Sequence, residues 1–288
     1  MLAQAQDCTR TLLRASELYE SRNYGQSARL FQEALPLCPQ QVPVLLNVAK
    51  SQFMEQAFEA ASETLEEAVR RDPANPTALK LRGDVLYLLG QEQEAEKSIV
   101  GAIKYDPQNP EPYYALGRIY YQQNRFAESV AQFSKVLELD PKSFRAYDNM
   151  GLALEGLNNN TRAMEQYQRA LALVHKDHPD YDWVYGNVSN LLYKEGNYSS
   201  AFQFAAEAAN RNPSSGRNFY LGGKALARLG KPDLAAKWLE KALTLDASLS
   251  EAHYQYAHVL RKIGKPEDAD RELKIFQETK VKEPQKRR

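Results

Sequence analysis

Pro39, Pro73, Pro107 and Pro141 stand 34 residues apart, and three of them follow an aspartate, Asp72, Asp106 and Asp140. A fixed period of this length limits the chain more than any other feature. Each stretch forms one small unit that cannot bury its apolar face alone, so the fold is a stack of such units. Function is then to be sought on the surface of the stack.

With proline at position 32, the units begin at Cys8, Val42, Pro76, Pro110 and Phe144, and after an insertion at 178-181 they resume at Asp182, Gly216 and Ser250. The eight repeats are 8-41, 42-75, 76-109, 110-143, 144-177, 182-215, 216-249 and 250-283, between an N-terminal tail 1-7 and a basic C-terminal tail 284-288. Each contains two helical stretches parted by a polar turn and closed by the proline, which disfavours helix at the residue before it. Positions 8 and 20 are small throughout: Ala15/Ser27, Ala49/Ala61, Gly83/Ala95, Gly117/Ser129, Gly151/Ala163, Ser189/Ala201, Gly223/Ala235 and Ala257/Ala269. Two antiparallel helices approach closely only where neither carries bulk at the crossing, so these positions are expected to face each other. Larger residues such as Tyr113, Leu116, Tyr120 and Phe133 fill the core at helical spacing.

This pattern resembles the tetratricopeptide repeat (TPR) family across nearly the whole chain. The fourth repeat carries it best, with Tyr113, Leu116, Gly117, Tyr120, Phe133 and Pro141, departing at Ser129 and Val136. The segment HPDYDWVYGNVSNLLYKEGNYSSA is similar to the longer repeat of kinesin light chains. The resemblance implies an all-α fold, an α-solenoid of eight antiparallel helix hairpins wound as a TPR superhelix. It also implies a non-catalytic protein-interaction scaffold that needs no cofactor.

Composition fits and sets limits. Lys plus Arg and Asp plus Glu number 37 each, so no global charge points to nucleic acid or to a membrane surface. No apolar run of eighteen residues is present, and no membrane insertion is expected. The setting is cytoplasmic by default, and periplasmic or secreted if Cys8 and Cys38 form a bridge and a signal peptide was removed. Ala3-Gln4-Ala5 has the small-x-small form that precedes a cleavage site, against the plainer reading of a polar tail. Cys8 opens the first helix of its repeat and Cys38 follows the second, so a bridge is possible. Two free thiols in a reducing compartment are the favoured alternative. His175, Asp177, His178, Asp180 and Asp182 cluster on the insertion, which leaves a metal-dependent enzyme as a minor reading beside a polar turn without metal.

In the resembled family, positions 2, 5, 6, 9, 12 and 13 of the first helix line a concave, peptide-binding face. The fourth and fifth repeats place Tyr114, Arg118, Tyr121, Asp148 and Asn149 there. The sixth adds Trp183, Asn187, Asn190, Tyr193 and Lys194, the seventh Arg217, Tyr220, Lys224 and Arg228, and the eighth Arg261. No triplet of repeats supplies the Lys and Asn clamp that holds a chaperone's C-terminal tail. Asn149 and Asn187, both at position 6, match the asparagine ladder with which O-linked GlcNAc transferase repeats grip a peptide backbone. Over the last three repeats six cations, Lys194, Arg217, Lys224, Arg228, Arg261 and Lys262, oppose one acid, Glu251, which points to an extended acidic peptide. The alternative is a regulatory or assembly module of a larger protein or complex. Phe276, where earlier repeats hold Ala or Val, is expected to cap the end by packing over the seventh repeat.

Overall fold

The computed structural model describes residues 2–282, which contain sixteen α-helices and no strand. They fall into two compact units, Met1–Pro141 and Lys142–Arg288. The first holds α1 (Leu2–Glu20), α2 (Tyr24–Ala34), α3 (Gln41–Met54), α4 (Phe58–Arg71), α5 (Pro76–Leu88), α6 (Glu92–Tyr105), α7 (Pro110–Gln122) and α8 (Phe126–Leu139). The second holds α9 (Phe144–Gly156), α10 (Asn160–Asp177), α11 (Trp183–Lys194), α12 (Tyr198–Arg211), α13 (Gly216–Arg228), α14 (Pro232–Leu245), α15 (Ser250–Lys262) and α16 (Pro266–Lys282). Within each unit consecutive helices pack as hairpins, and first helices also touch the next first helix, as α11 touches α13 and α13 touches α15. The stretch 1-7, read as a tail, is helical from Leu2 onward. The basic tail 284-288 lies outside the described residues.

Every first helix ends on the same device. The residue at position 15 takes a positive φ: glycine at Gly90, Gly196, Gly230 and Gly264, and a side-chain-bearing residue at Arg22, Gln56, Asn124 and Asn158. The following N–H reaches back five residues, as from Lys231 to the Leu226 carbonyl at 3.1 Å, which satisfies a carbonyl that the helix end leaves open. Between hairpins, Asp72, Asp106 and Asp140 occupy the C-caps of α4, α6 and α8. Asn75 and Asn109 then cap the next helices, accepting the N–H of Ala78 and of Glu111 at 3.0 Å. Pro76 and Pro110 follow at the first helical position, where a missing N–H costs nothing.

The crossing inside each hairpin depends on the small residues in two ways. Where serine occupies one of the two positions, its hydroxyl donates to the backbone carbonyl of the other: Ser27 to Ala15, Ser129 to Gly117 and Ser189 to Ala201, each at 2.8 Å. Positions 8 and 20 therefore meet backbone to backbone. The side chain that fills the space above position 8 comes from position 24. A Cβ built on Gly151 would stand 2.4 Å from the Tyr167 ring, one on Gly117 2.8 Å from Phe133, and one on Gly223 2.7 Å from Leu239. Tyr167, Phe133 and Leu239 are fully buried, and each contributes roughly 1.5–3 kcal/mol by leaving water.

The N-terminal hairpin carries a covalent staple. Cys8 and Cys38 are disulfide-bonded with their Cα atoms 5.2 Å apart, so the favoured reading of free thiols gives way to the bridge. Pro36 ends α2 early, and the 3₁₀ turn Leu35–Leu37 carries Cys38 back to Cys8, which lies inside α1 and does not open it, beside Phe31, Val44 and Val48. At the other end Phe276 packs against Tyr254 of its own hairpin, ring centroids 5.2 Å apart.

Two outcomes follow for stability. Gly151→Ala forces a methyl into the Tyr167 ring and is expected to cost about 1–3 kcal/mol. Gly101→Ala, whose methyl meets Leu79 at an ordinary 3.4 Å, is expected to gain up to about 1 kcal/mol from helix propensity. Denaturant unfolding of the two variants checks the pair, and equal shifts would contradict the crossing geometry. Reduction of the Cys8–Cys38 bridge, which closes a sequence separation of 30, is expected to cost about 3–4 kcal/mol. Hydrogen exchange should place the loss in α1 and α2, and unchanged protection there after reduction would contradict it.

Candidate functional site

The first helices α9, α11, α13 and α15 of the second unit carry most of the residues singled out by sequence. On α11, Asn187, Asn190 and Lys194 recur at helical spacing, and on α13 so do Arg217, Tyr220, Lys224 and Arg228, so each set shares a face. Contact between α11 and α13 brings the two sets together.

At one end they build a buried polar network. Asp148 of α9 accepts from Asn187 Nδ2 at 2.8 Å and from the Tyr181 hydroxyl at 2.6 Å. Asn187 Oδ1 in turn accepts from Arg217 Nη2 at 2.7 Å. Alongside, Asn218 Nδ2 donates to Asp182 at 2.6 Å and to the Ala208 carbonyl at 3.1 Å. Burial pushes the Asp148 carboxyl up, opposed by its hydrogen bonds and by Arg217. Burial pushes the Arg217 guanidinium down, opposed by Asp148 and Asp182. Gly186 makes room for that guanidinium, since a Cβ there would stand 2.4 Å from Arg217 Nη1. Asn187 is 3% exposed with both ends of its amide occupied, so it is a strut inside the unit, in place of the peptide rung expected of it. Asn149 Nδ2 donates to the Arg145 carbonyl of its own helix at 2.8 Å.

Above the network the arrangement becomes aromatic and cationic. Arg217 lies 5.1 Å over the ring of Trp183, which is 54% exposed. Lys224 Nζ stands 4.5 Å from the Tyr193 ring and 5.3 Å from the Tyr220 ring, and donates to Asn190 Oδ1 at 2.8 Å. Arg228 covers the Tyr198 ring at 4.9 Å and donates to its hydroxyl at 2.7 Å. Such pairs contribute roughly 0.5–2 kcal/mol, more where water is excluded. Burial, then Glu251 and Tyr193, push the Tyr220 phenol up to about 12.

Most of the expected positive field is neutralised locally. Arg217 has Asp148 and Asp182 as electrostatic partners. Lys194 pairs with Glu155 at 2.9 Å, and Arg261 pairs with Asp270 of α16 at 2.8 Å. The excess of six cations over one acid omitted Asp148, Asp182, Glu155 and Asp270, which act on Arg217, Lys194 and Arg261. Lys224, at 8% exposure, pairs with no carboxylate among the described residues. It was expected on the surface and is instead buried.

The first unit places Tyr114, Arg118 and Tyr121 on α7. Tyr114 packs against Phe133 at 5.7 Å, Tyr121 against Phe126 at 5.6 Å, and Arg118 lies 5.9 Å over Tyr87. Arg118 and Lys80 both act on Asp84, whose carboxyl burial nevertheless pushes up. Among the described residues no group of three His, Cys, Asp or Glu side chains could hold a metal ion, and no helix is long and apolar enough to cross a membrane.

Lys224 also makes a stability prediction. Burial, then Arg217 and Lys194, lower its ammonium from 10.5 to about 8, which corresponds to roughly 3 kcal/mol. Between those values the unfolded chain binds the proton more tightly, so this effect opposes folding at pH 7 and fades as pH rises from about 8 to 10.5. Lys224→Met is therefore expected to raise unfolding stability at pH 7 by up to about 3 kcal/mol, with the gain shrinking toward pH 10.5. A loss of stability at pH 7 would contradict the burial of an uncompensated cation.

Comparison with known proteins bears on the fold and the family. Sequence models described as TPR repeat or tetratricopeptide repeat match residues 117–158, residues 52–110, and residues 144–173 with 217–249, together about half of the chain. A curated relative, the tetratricopeptide repeat and J domain-containing co-chaperone DNJ1 of Cryptococcus neoformans, is 34% identical over 92 residues. That match covers 32% of this chain and spans 18% of the relative's length. A tetratricopeptide repeat protein from Parabacteroides merdae superposes with a TM-score of 0.71 at 17% identity, over 88% of this chain and 99% of that one. A chain of the APC/C hetero-tetramer Cut9-Hcn1 gives 0.70 at 16%, over 95% and 53%, and Pseudomonas aeruginosa pilF gives 0.64 at 20%, over 77% and 97%. At these identities the structural likeness is one of fold. With these repeat models together matching about half of the chain, the chain belongs to the tetratricopeptide repeat family, whose members generally serve as non-catalytic scaffolds for protein–protein interaction.

Proposed function

We propose that the second unit is a non-catalytic scaffold that takes an extended acidic segment of a protein partner across α11, α13 and α15. One observation carries the reading: the cation–ring pairs Arg217/Trp183, Lys224/Tyr193 and Arg228/Tyr198 lie on the face made by α11, α13 and the start of α12. The network of Asp148, Asn187 and Arg217 locks the arginine's rotamer before any partner arrives, so little side-chain freedom is lost on binding. Exposed aromatic surface supplies apolar contact, and the cations favour acidic side chains while steering their approach. Tyr114, Arg118 and Tyr121 form a second candidate patch on the first unit. The Cys8–Cys38 bridge supports an oxidising compartment as the setting.

A second reading, as an assembly module of a larger protein, is favoured by the curated relative, a longer co-chaperone of which the matched stretch is under a fifth. Selection of a displayed random-peptide library on the full chain tests the first. Acidic, aromatic-containing sequences are expected, with recovery reduced at least tenfold by Trp183→Ala combined with Arg228→Glu, and weakened by salt. Equal recovery by the double variant would sink the reading.

A further inference from the structure

Other cations of this unit have carboxylates nearby. Arg217, whose Nη1 has no hydrogen-bond partner, has Asp148 and Asp182 as electrostatic partners, the exposed Lys194 bonds Glu155, and the nearly buried side chain of Arg211 bonds Glu207 at 3.0 Å. Lys224 stands apart. It sits two thirds of the way along α13, between α11 and α15, with its ammonium bonded only to Asn190 Oδ1 and flanked by the Tyr193 and Tyr220 rings. An ammonium has three donors, so two remain for an acceptor that the described residues do not supply. The Asn190 amide, with its oxygen turned to Lys224, likewise donates through Nδ2 to no described residue. A buried charge without a counter-ion is costly, and the cost is recovered when an anion docks on it.

We propose that Lys224 and Asn190 form an anion-reading pocket for one side-chain carboxylate of the partner peptide, with Tyr193 and Tyr220 as walls that hold the apolar stem. The inference rests on the reading of this unit as a peptide-binding face and names the chemistry at its centre. One carboxylate oxygen takes the lysine's free donors and the other takes the Asn190 NH2. The source is taken as a side chain within a peptide because the partner proposed for this face is an extended segment, and α13, which carries Lys224, touches both α11 and α15. The charged and titratable groups around the pocket are Tyr193 and Lys194 from α11, Arg217, Tyr220 and Arg228 from α13, Tyr198 from α12 and Glu251 from α15. Lys194 and Arg217 disfavour the charged ammonium, and Glu251 favours it without forming an ion pair.

The free ammonium loses its proton at about 8, and a bound carboxylate holds that proton on, so affinity is level below this pH and falls above it by up to about tenfold per unit. Calorimetric titration of the full chain with acetyl-Phe-Glu-Phe-amide, acetyl-Phe-Gln-Phe-amide and acetyl-Phe-Gln-Phe as the free acid tests this between pH 7 and 10. At pH 7 the glutamate peptide is expected to bind at least tenfold tighter than the glutamine amide, with the advantage disappearing as pH rises past 8. Lys224→Met should abolish the advantage, so that the glutamate and glutamine amides bind it alike. Lys224→Arg should keep the advantage and flatten its pH dependence. A preference that survives Lys224→Met overturns the pocket, as does a Lys224-dependent preference for the free acid alone, which would make the source a chain terminus. Equal binding of the glutamate and glutamine amides removes the pocket and leaves the wider peptide-binding reading standing. Failure of all three peptides to bind overturns the pocket, and failure of the library selection as well removes both.

Discussion

The fold rests on a steric rule that recurs along the chain: the two helices of a hairpin cross where both carry small residues, and in most repeats the second helix lays a large ring or branched chain over that crossing. Gly151 against Tyr167 and Gly117 against Phe133 are two instances of one joint, and Ser129 and Ser189 tie the same crossing by hydroxyl-to-carbonyl bonds. Because each joint is local, stability accrues hairpin by hairpin and damage at one joint reaches its neighbours first. Within each unit, neighbouring first helices are thereby held side by side. Polar residues on those helices can then find partners one repeat away.

That consequence separates what could be read from the chain and what could not. The joint was legible because its residues recur every 34 positions, so eight weak signals add into one strong one. The helix-ending turn was half legible. Gly90, Gly196, Gly230 and Gly264 mark a left-handed residue, whereas Arg22 and Gln56 adopt the same conformation with no such mark. The polar network was not legible at all. Asn187 sits between Asp148, 39 residues earlier, and Arg217, 30 residues later, and nothing local shows that its amide is consumed inside the unit. Asp148 stood among the expected face residues, but the charge tally passed over it, and with it the neutralisation of Arg217. The disulfide was legible only as a possibility, since its geometry depends on a 3₁₀ turn around Pro36 that replaces the last turn of α2.

Seen as energetics, the face divides into parts that serve the fold and one part that works against it. Arg217 and Asp148 are both desolvated, and each is made tolerable by the other and by Asn187, so together they fix the neighbouring first helices. Trp183 and Tyr193 are left partly in water with cations stacked on their faces, an arrangement that gains more when a partner excludes the remaining solvent. Lys224 is buried without a counter-ion, and the free protein is less stable for holding it. A group that weakens the fold and faces two aromatic rings and a half-used amide is more readily understood as part of a binding surface than of the core.

The burial of Lys224 as an uncompensated cation is the point on which this division depends. The most direct measurement is an NMR titration of the Lys224 side chain in the free protein labelled at lysine Cε, with Lys224→Arg used to assign its signal. A midpoint near 8 is the expected result. A midpoint at the ordinary lysine value of 10.5 would mean that water or a carboxylate reaches the ammonium, and would contradict the placement of an unpaired charge at the centre of the face.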